Sequence, residues 1–281
     1  MSTRQIHAKK SSFDFKLWKG KEPTSDHYME IIDEPVDIYD NGSLVCSYRF
    51  LPEAELFKLS NAVSAAKCKP SARTRGVKQV SAVFGALPRV PCREDYCRFS
   101  ADTRAQPHVF KALSDVGLFL WKVYKTQFKE VADKFEIGVK EIDEAWRKTG
   151  TPFTTVNVNK NFAIGYHKDS ANFKGVFSNV LISKKFTSGG LFVMPEYGIA
   201  LSQSNGALVI VDGANVVHGV TGIVKHSPAA HRASVVFYTL NNLIHCFNQQ
   251  DEIKRSKKVT TERARKRANK ISPLTNEREE N

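Results

Sequence analysis

No apolar run in this chain approaches the roughly 18 residues that a membrane-spanning helix needs, and the opening stretch MSTRQIHAKKSSFDFK lacks the apolar core of a signal peptide. A soluble intracellular protein is expected, cytoplasmic unless the basic C-terminal stretch acts as a nuclear-import signal. Cysteine is scarce. Cys46, Cys68, Cys92, Cys97 and Cys246 are scattered and odd in number, and only Cys92 and Cys97 lie close together, at a spacing too wide for the usual zinc knuckle. Reduced thiols are the expectation, which excludes a disulfide framework. No internal repeat of the solenoid kind is visible, and no linker forces two independent domains.

What is abundant is positive charge. The formal net charge is +13 and the isoelectric point is near 9.5. An excess of Lys and Arg concentrates polyanions near the protein and adds a salt-dependent contribution to affinity for phosphate backbones, so nucleic acid is the expected partner and a membrane is not. The 281 residues, 41% of them hydrophobic, can bury one large core or two modest ones.

Texture changes along the chain. Residues 1–40 are polar and weakly periodic, as expected of an arm or of irregular strands packed on the body. Residues 41–150 read as a helix-rich supporting region of the same domain: Leu56, Leu59 and Val63 fall on one face of a short helix opened by Pro52, and Val109, Leu113, Val116, Leu120 and Val123 predict one long helix from Pro107 to Phe135. The aromatics Phe119, Trp121, Tyr124 and Phe128 on that helix are assigned to packing rather than base stacking. Between them, KPSARTRGVKQVSAVF reads as a loop whose Arg73, Arg75 and Lys78 can reach phosphates, leading into a strand over 79–84. Residues 151–248 are a succession of short β-rich runs, PFTTVNVN, FSNVLISK, GLFVM, YGIAL, GALVIVD, NVVHGV and RASVVFYTL, which suggests a sandwich or jelly-roll barrel and an α+β protein. Residues 249–281 are charged and nearly devoid of large apolar side chains, the pattern of a solvated helix or flexible tail.

The chemistry-bearing pattern begins at GYHKDSANF. His167 and Asp169 are one residue apart in an extended segment, where alternate side chains share a side. His218, in NVVHGV, is the third candidate ligand. His226 and His231 compete for that place, but the first precedes Ser-Pro in a loop and the second crowds the strand that carries Arg232. Two imidazoles and one carboxylate on one face of an octahedral ion suit Fe(II) and leave three adjacent positions open, enough for a bidentate 2-oxo acid and dioxygen. The far carboxylate of such a cosubstrate needs a planar, permanently charged donor, and Arg232 on a strand is the candidate, with Ser234 two residues along the same face.

The order H-x-D, a distant H, then R-x-S on short strands resembles the Fe(II)/2-oxoglutarate-dependent dioxygenase superfamily. VNVN before the ligands, HKDSAN and the HG of the distal strand narrow the resemblance, over about Pro152 to Leu240, to the TET/JBP family of DNA-base oxygenases. The resemblance implies a double-stranded β-helix (jelly-roll) core with the helix-rich half packed on it. It implies His167, Asp169 and His218 as iron ligands, and Arg232 with Ser234 as the anchor for 2-oxoglutarate. Asn172 would face the pairing edge of a flipped base, and Asn157 or Asn159 would line the cosubstrate or base pocket. The implied reaction is oxidation of the 5-methyl group of 5-methylcytosine or thymine in DNA. Hydroxylation of a protein, nucleoside or small molecule, and a non-catalytic DNA-binding barrel, are the rival readings. Asp169 argues against halogenation, because a carboxylate there leaves no vacancy for a halide.

Overall fold

The structure, a computed structural model, describes residues 3–71, 79–91 and 94–276. Arg73, Arg75 and Lys78 lie outside the described residues.

The fold is organised around strands whose two faces are both covered. Ala207–Val211 is apolar at every position and buried throughout: Leu208 and Ile210 pack toward the helices, and Ala207, Val209 and Val211 toward a second sheet. This strand lies inside a ten-stranded sheet, between Ser43–Phe50 and Ser178–Lys185. Beyond the latter come His231–Tyr238, Thr155–Lys160, Gln79–Leu87 and Lys69–Ser71, with Arg98–Phe99 also paired to Gln79–Leu87, and beyond Ser43–Phe50 come Val36–Asp40 and Arg4–His7. Within this sheet the pairs are antiparallel except Arg4–His7 with Val36–Asp40. A four-stranded sheet, Gly219–Val220, Phe192–Met194, Ile199–Leu201 and Glu30–Ile32, contributes to the apolar core on the other face of the large one. Residues 3–40 are therefore woven into the body, giving an edge strand to each of these two sheets.

The opposite face of the large sheet carries the helices. Glu53–Ala65 buries Leu59, Ala62 and Val63. The single helix expected from Pro107 to Phe135 is two, Pro107–Gln127 and Lys129–Gly138, broken at Phe128, whose φ of −132° and ψ of 52° are not helical. The apolar spacing carries on nearly in phase across the break, so periodicity alone does not reveal it. The bend lets Phe135 pack edge-on against Trp121, Tyr124 and Phe153, which is core packing as the sequence suggests.

Residues Gln249–Asn276 form one helix, and its base is fastened to the body. Glu252 is buried and accepts from Arg89 and from the backbone N–H groups of Cys97 and Phe247 at 2.8 and 3.0 Å. Burial pushes its carboxyl up, but these donors outweigh that and hold it below its usual value. Beside it, Cys97 and Cys246 form a disulfide, which corrects the expectation of reduced thiols at these two positions. The two lie 149 residues apart in sequence, and only the folded chain brings their Cα atoms to 5.8 Å. Cys46 and Cys68 are free.

Candidate metal and cosubstrate site

Side-chain alternation puts the polar residues of three adjacent strands on one face. Val156, Val158, Ala233 and Val235 point to the helices. Their neighbours Asn157, Asn159, Arg232 and Ser234 therefore point between the two sheets, with Ser234 opposite Asn159 and Arg232 opposite Lys184.

His167 and His218 meet at the mouth of this space. Each backbone N–H donates to the other's carbonyl, at 2.9 and 3.0 Å, so two segments distant in sequence are stitched together at the two histidines. Each ring presents Nδ1 to a carbonyl two residues back, Gly165 for His167 and Val216 for His218, both at 3.0 Å. An Nδ1–H donated there leaves the Nε2 lone pair free, the tautomer a metal requires. Nε2 of His167 lies 3.4 Å from Asp169 Oδ1, and Nε2 of His218 lies 3.9 Å from Oδ2. One donor atom from each of the three falls within 4.8 Å of the others. Phe192 stacks on the His218 ring at 5.2 Å and fixes its plane.

Burial pushes His218 down to about 4, helped by the charge of His167, so this imidazole is neutral at physiological pH. Burial pushes His167 down as well, but the hydrogen bond and charge of Asp169 prevail and raise it. Burial alone would raise Asp169. Hydrogen bonding from His167, the charges of both histidines and the Ser178 hydroxyl overcome it and hold the carboxyl well below the usual range. A carboxylate between two imidazoles without a compensating cation is a donor set that fits a divalent metal.

Arg232 is 1% exposed, and burial pushes it down to about 10. Its Nη2 donates to Gln203 and its Nη1 to the Phe162 carbonyl at 3.4 Å, while Nε has no partner and no carboxylate pairs with it among the described residues. A buried guanidinium with an unused donor fits the carboxylate of an oxo acid. Gly190 makes room for it: a Cβ there would lie 2.8 Å from Arg232 Nε, and its φ of +69° suits glycine. Asn157 Oδ1 is likewise buried without a partner.

Asn172 is buried near the metal-site residues, and its amide nitrogen donates to Ser178. The rival histidines stay away: His226 and His231 are exposed, the former with Nε2 2.8 Å from Ser188 Oγ. The sequence reasoning missed Ser178, Gln203, Phe192 and Gly190. None belongs to a short motif, and only the glycine pair Gly189-Gly190 is a signal that could have drawn attention.

A His/Asp/His cluster beside two packed sheets, with a buried arginine between them, is a donor set that an Fe(II)/2-oxoglutarate-dependent oxygenase requires. The Tet_JBP family, described as the oxygenase domain of the 2OGFeDO superfamily, matches residues 89–241, and the chain belongs to that family. Membership implies Fe(II) and 2-oxoglutarate. Among solved structures, NgTET1 in complex with 5mC DNA shares the fold, with a TM-score of 0.59 and 12% identity over 85% of this chain and 89% of that one. An oxidoreductase of the 2OG-Fe(II) oxygenase family from Burkholderia pseudomallei is similar at a TM-score of 0.43 and 16% identity, over 68% of this chain and 84% of that one. A Pseudomonas putida prolyl-4-hydroxylase is similar at 0.38 and 13%, over 70% and 92%. No curated protein matches the chain in sequence. Among the described residues, no helix is long and apolar enough to cross a membrane.

Proposed function

We propose that this protein hydroxylates the 5-methyl group of a pyrimidine in DNA, with 5-methylcytosine the first substrate and thymine the second to test. Its two sheets are read as a double-stranded β-helix. The observation that carries the reading is the convergence of His167, Asp169 and His218 within 4.8 Å. The buried Arg232 in the adjoining inter-sheet space supports it. Similarity of fold to a protein described in complex with 5mC DNA favours this substrate class, as does the net charge of +13.

Bound Fe(II), 2-oxoglutarate and dioxygen together supply a two-electron oxidation of a C–H bond, with succinate and carbon dioxide as co-products. His167 and His218 would offer Nε2, and Asp169 a carboxylate oxygen. Arg232 would hold the distal carboxylate of 2-oxoglutarate, with the Ser234 hydroxyl beside it and Asn157 and Asn159 along the same wall. A methyl group inside duplex DNA cannot enter a closed barrel, so the base must leave the stack. Asn172 would read its pairing edge through the amide oxygen, since the amide nitrogen is engaged by Ser178.

The test is anaerobic loading with Fe(II), addition of 2-oxoglutarate, oxygen and duplex DNA carrying 5-methylcytosine or thymine, then mass spectrometry of the digested nucleosides. Gain of one oxygen on one base, absent in His167→Ala, is the expected result. Succinate formation with every base unchanged would retain the oxygenase chemistry and move the substrate to a protein, nucleoside or small molecule.

A further inference from the structure

Behind the metal-site carboxylate lies a hydrogen-bond chain that runs from Asn172 through Ser178 to Asp169. Ser178 is 1% exposed and opens the strand Ser178–Lys185, paired with Val211 on the inter-sheet face. Its Oγ lies 2.7 Å from Asp169 Oδ2 and 2.8 Å from Asn172 Nδ2. A serine hydroxyl has one proton to give. With Asp169 anionic that proton goes to the carboxylate, so Asn172 must be the donor to Ser178, and the direction of the whole chain is set. Gly213 closes it from behind: a Cβ there would lie 2.4 Å from Asp169 Oδ2 and 2.9 Å from Ser178 Oγ, and its carbonyl accepts from the Asp169 N–H at 2.8 Å.

We propose that Ser178 is a positioning residue for the iron-binding carboxylate, fixing the rotation of the Asp169 carboxylate through its hydrogen bond to Oδ2, and that Asn172 couples the base-reading position to it. This rests on the reading of His167, Asp169 and His218 as metal ligands. A carboxylate free at both oxygens can bind a metal through both and occupy one of the positions that a bidentate oxo acid and dioxygen require. One strong donor on Oδ2 opposes that swing. Because Asn172 gives its nitrogen to the same hydroxyl, a donor on the base that engages the amide oxygen polarises Asn172, then Ser178, then Asp169, with no movement of backbone.

The experiment is titration of the full chain, free of DNA and oxo acid, with Co(II), read by visible absorption, together with Fe(II) affinity under anaerobic conditions. Ser178→Ala is expected to weaken both metals by about 10- to 100-fold and to change the Co(II) band intensities. Ser178→Thr, which retains the hydroxyl, is expected to restore both, and Asn172→Ala to weaken binding in the same direction by a smaller factor. Normal Co(II) affinity and spectrum in Ser178→Ala, with binding abolished in His167→Ala, would overturn this inference alone. Normal affinity in both variants would overturn the metal assignment and the inference with it. A loss in Ser178→Ala that a folded Ser178→Thr does not recover would assign the effect to packing and refute the positioning role.

Discussion

Replacing Arg232 with methionine separates a structural arginine from an anchor for a carboxylate. The guanidinium is buried, and the drop to about 10 reflects a desolvation cost of about 3 kcal/mol at about 1.4 kcal/mol per pK unit. Methionine removes that cost and fills much of the volume, but leaves Gln203 and the Phe162 carbonyl without their donor, a loss of about 1–3 kcal/mol for each. The two nearly cancel, so Arg232→Met in the absence of ligand should melt within a few degrees of the wild type. Binding of 2-oxoglutarate should behave differently. Each hydrogen bond to a charged group contributes about 1.5–3 kcal/mol, and at about 1.4 kcal/mol per tenfold the loss of the fork should weaken the cosubstrate by at least about 100-fold. The assay is anaerobic calorimetry of 2-oxoglutarate binding to the Fe(II)-loaded protein, paired with melting curves with and without the oxo acid. Wild-type affinity for 2-oxoglutarate, or a loss confined to DNA binding, would refute the assignment.

Three further outcomes are expected. Lys148 is buried against Phe110 and Ser114, and burial pushes it down to about 7. From pH 7 to about 10.4 the unfolded chain carries the extra proton; wild-type stability should therefore rise over that window and Lys148→Met should lack the slope, whereas parallel urea midpoints at pH 7 and pH 9.5 would contradict the burial effect. The Cys97–Cys246 disulfide closes a long loop, so reduction should lower the melting temperature by several degrees, corresponding to roughly 2–5 kcal/mol, and Cys246→Ser should melt lower and ignore the reductant; a wild type indifferent to reductant would count against the bond. Deleting the chain from Lys257 onward spares Glu252 and Arg255 and removes a strongly basic segment. This truncation should reduce DNA affinity and its salt dependence by roughly one power per lost phosphate contact, and loss of oxidation on a saturating short substrate would show that the distal helix supports the core.

Several features were open to reading from the chain alone. The β-rich texture after Gly150 follows from side-chain alternation, a local property that survives without knowledge of the fold. The same holds for H-x-D, whose two side chains share a side in any extended segment, and for R-x-S. The apolar faces of Glu53–Ala65 and Pro107–Gln127 are local too, because a helix repeats every three or four residues.

Tertiary structure decided the rest, for reasons that are not local. The break at Phe128 depends on what the helix packs against, as the nearly continuous periodicity shows. The sequence pattern already favours His218 over His226 and His231; what the tertiary structure adds is the backbone pairing with His167 that brings two segments distant in sequence together. The disulfide has the same character: two cysteines in an odd, scattered set become partners only when the large sheet and the base of the C-terminal helix are both in place. A charged stretch reads as solvated because charge costs free energy to bury, yet Glu252 is buried in it since Arg89 and two backbone N–H groups from elsewhere satisfy its oxygens. Sequence thus determined which side chains share a face, while the assembled sheets determined which faces meet, because contact between distant segments depends on packing that no local pattern carries.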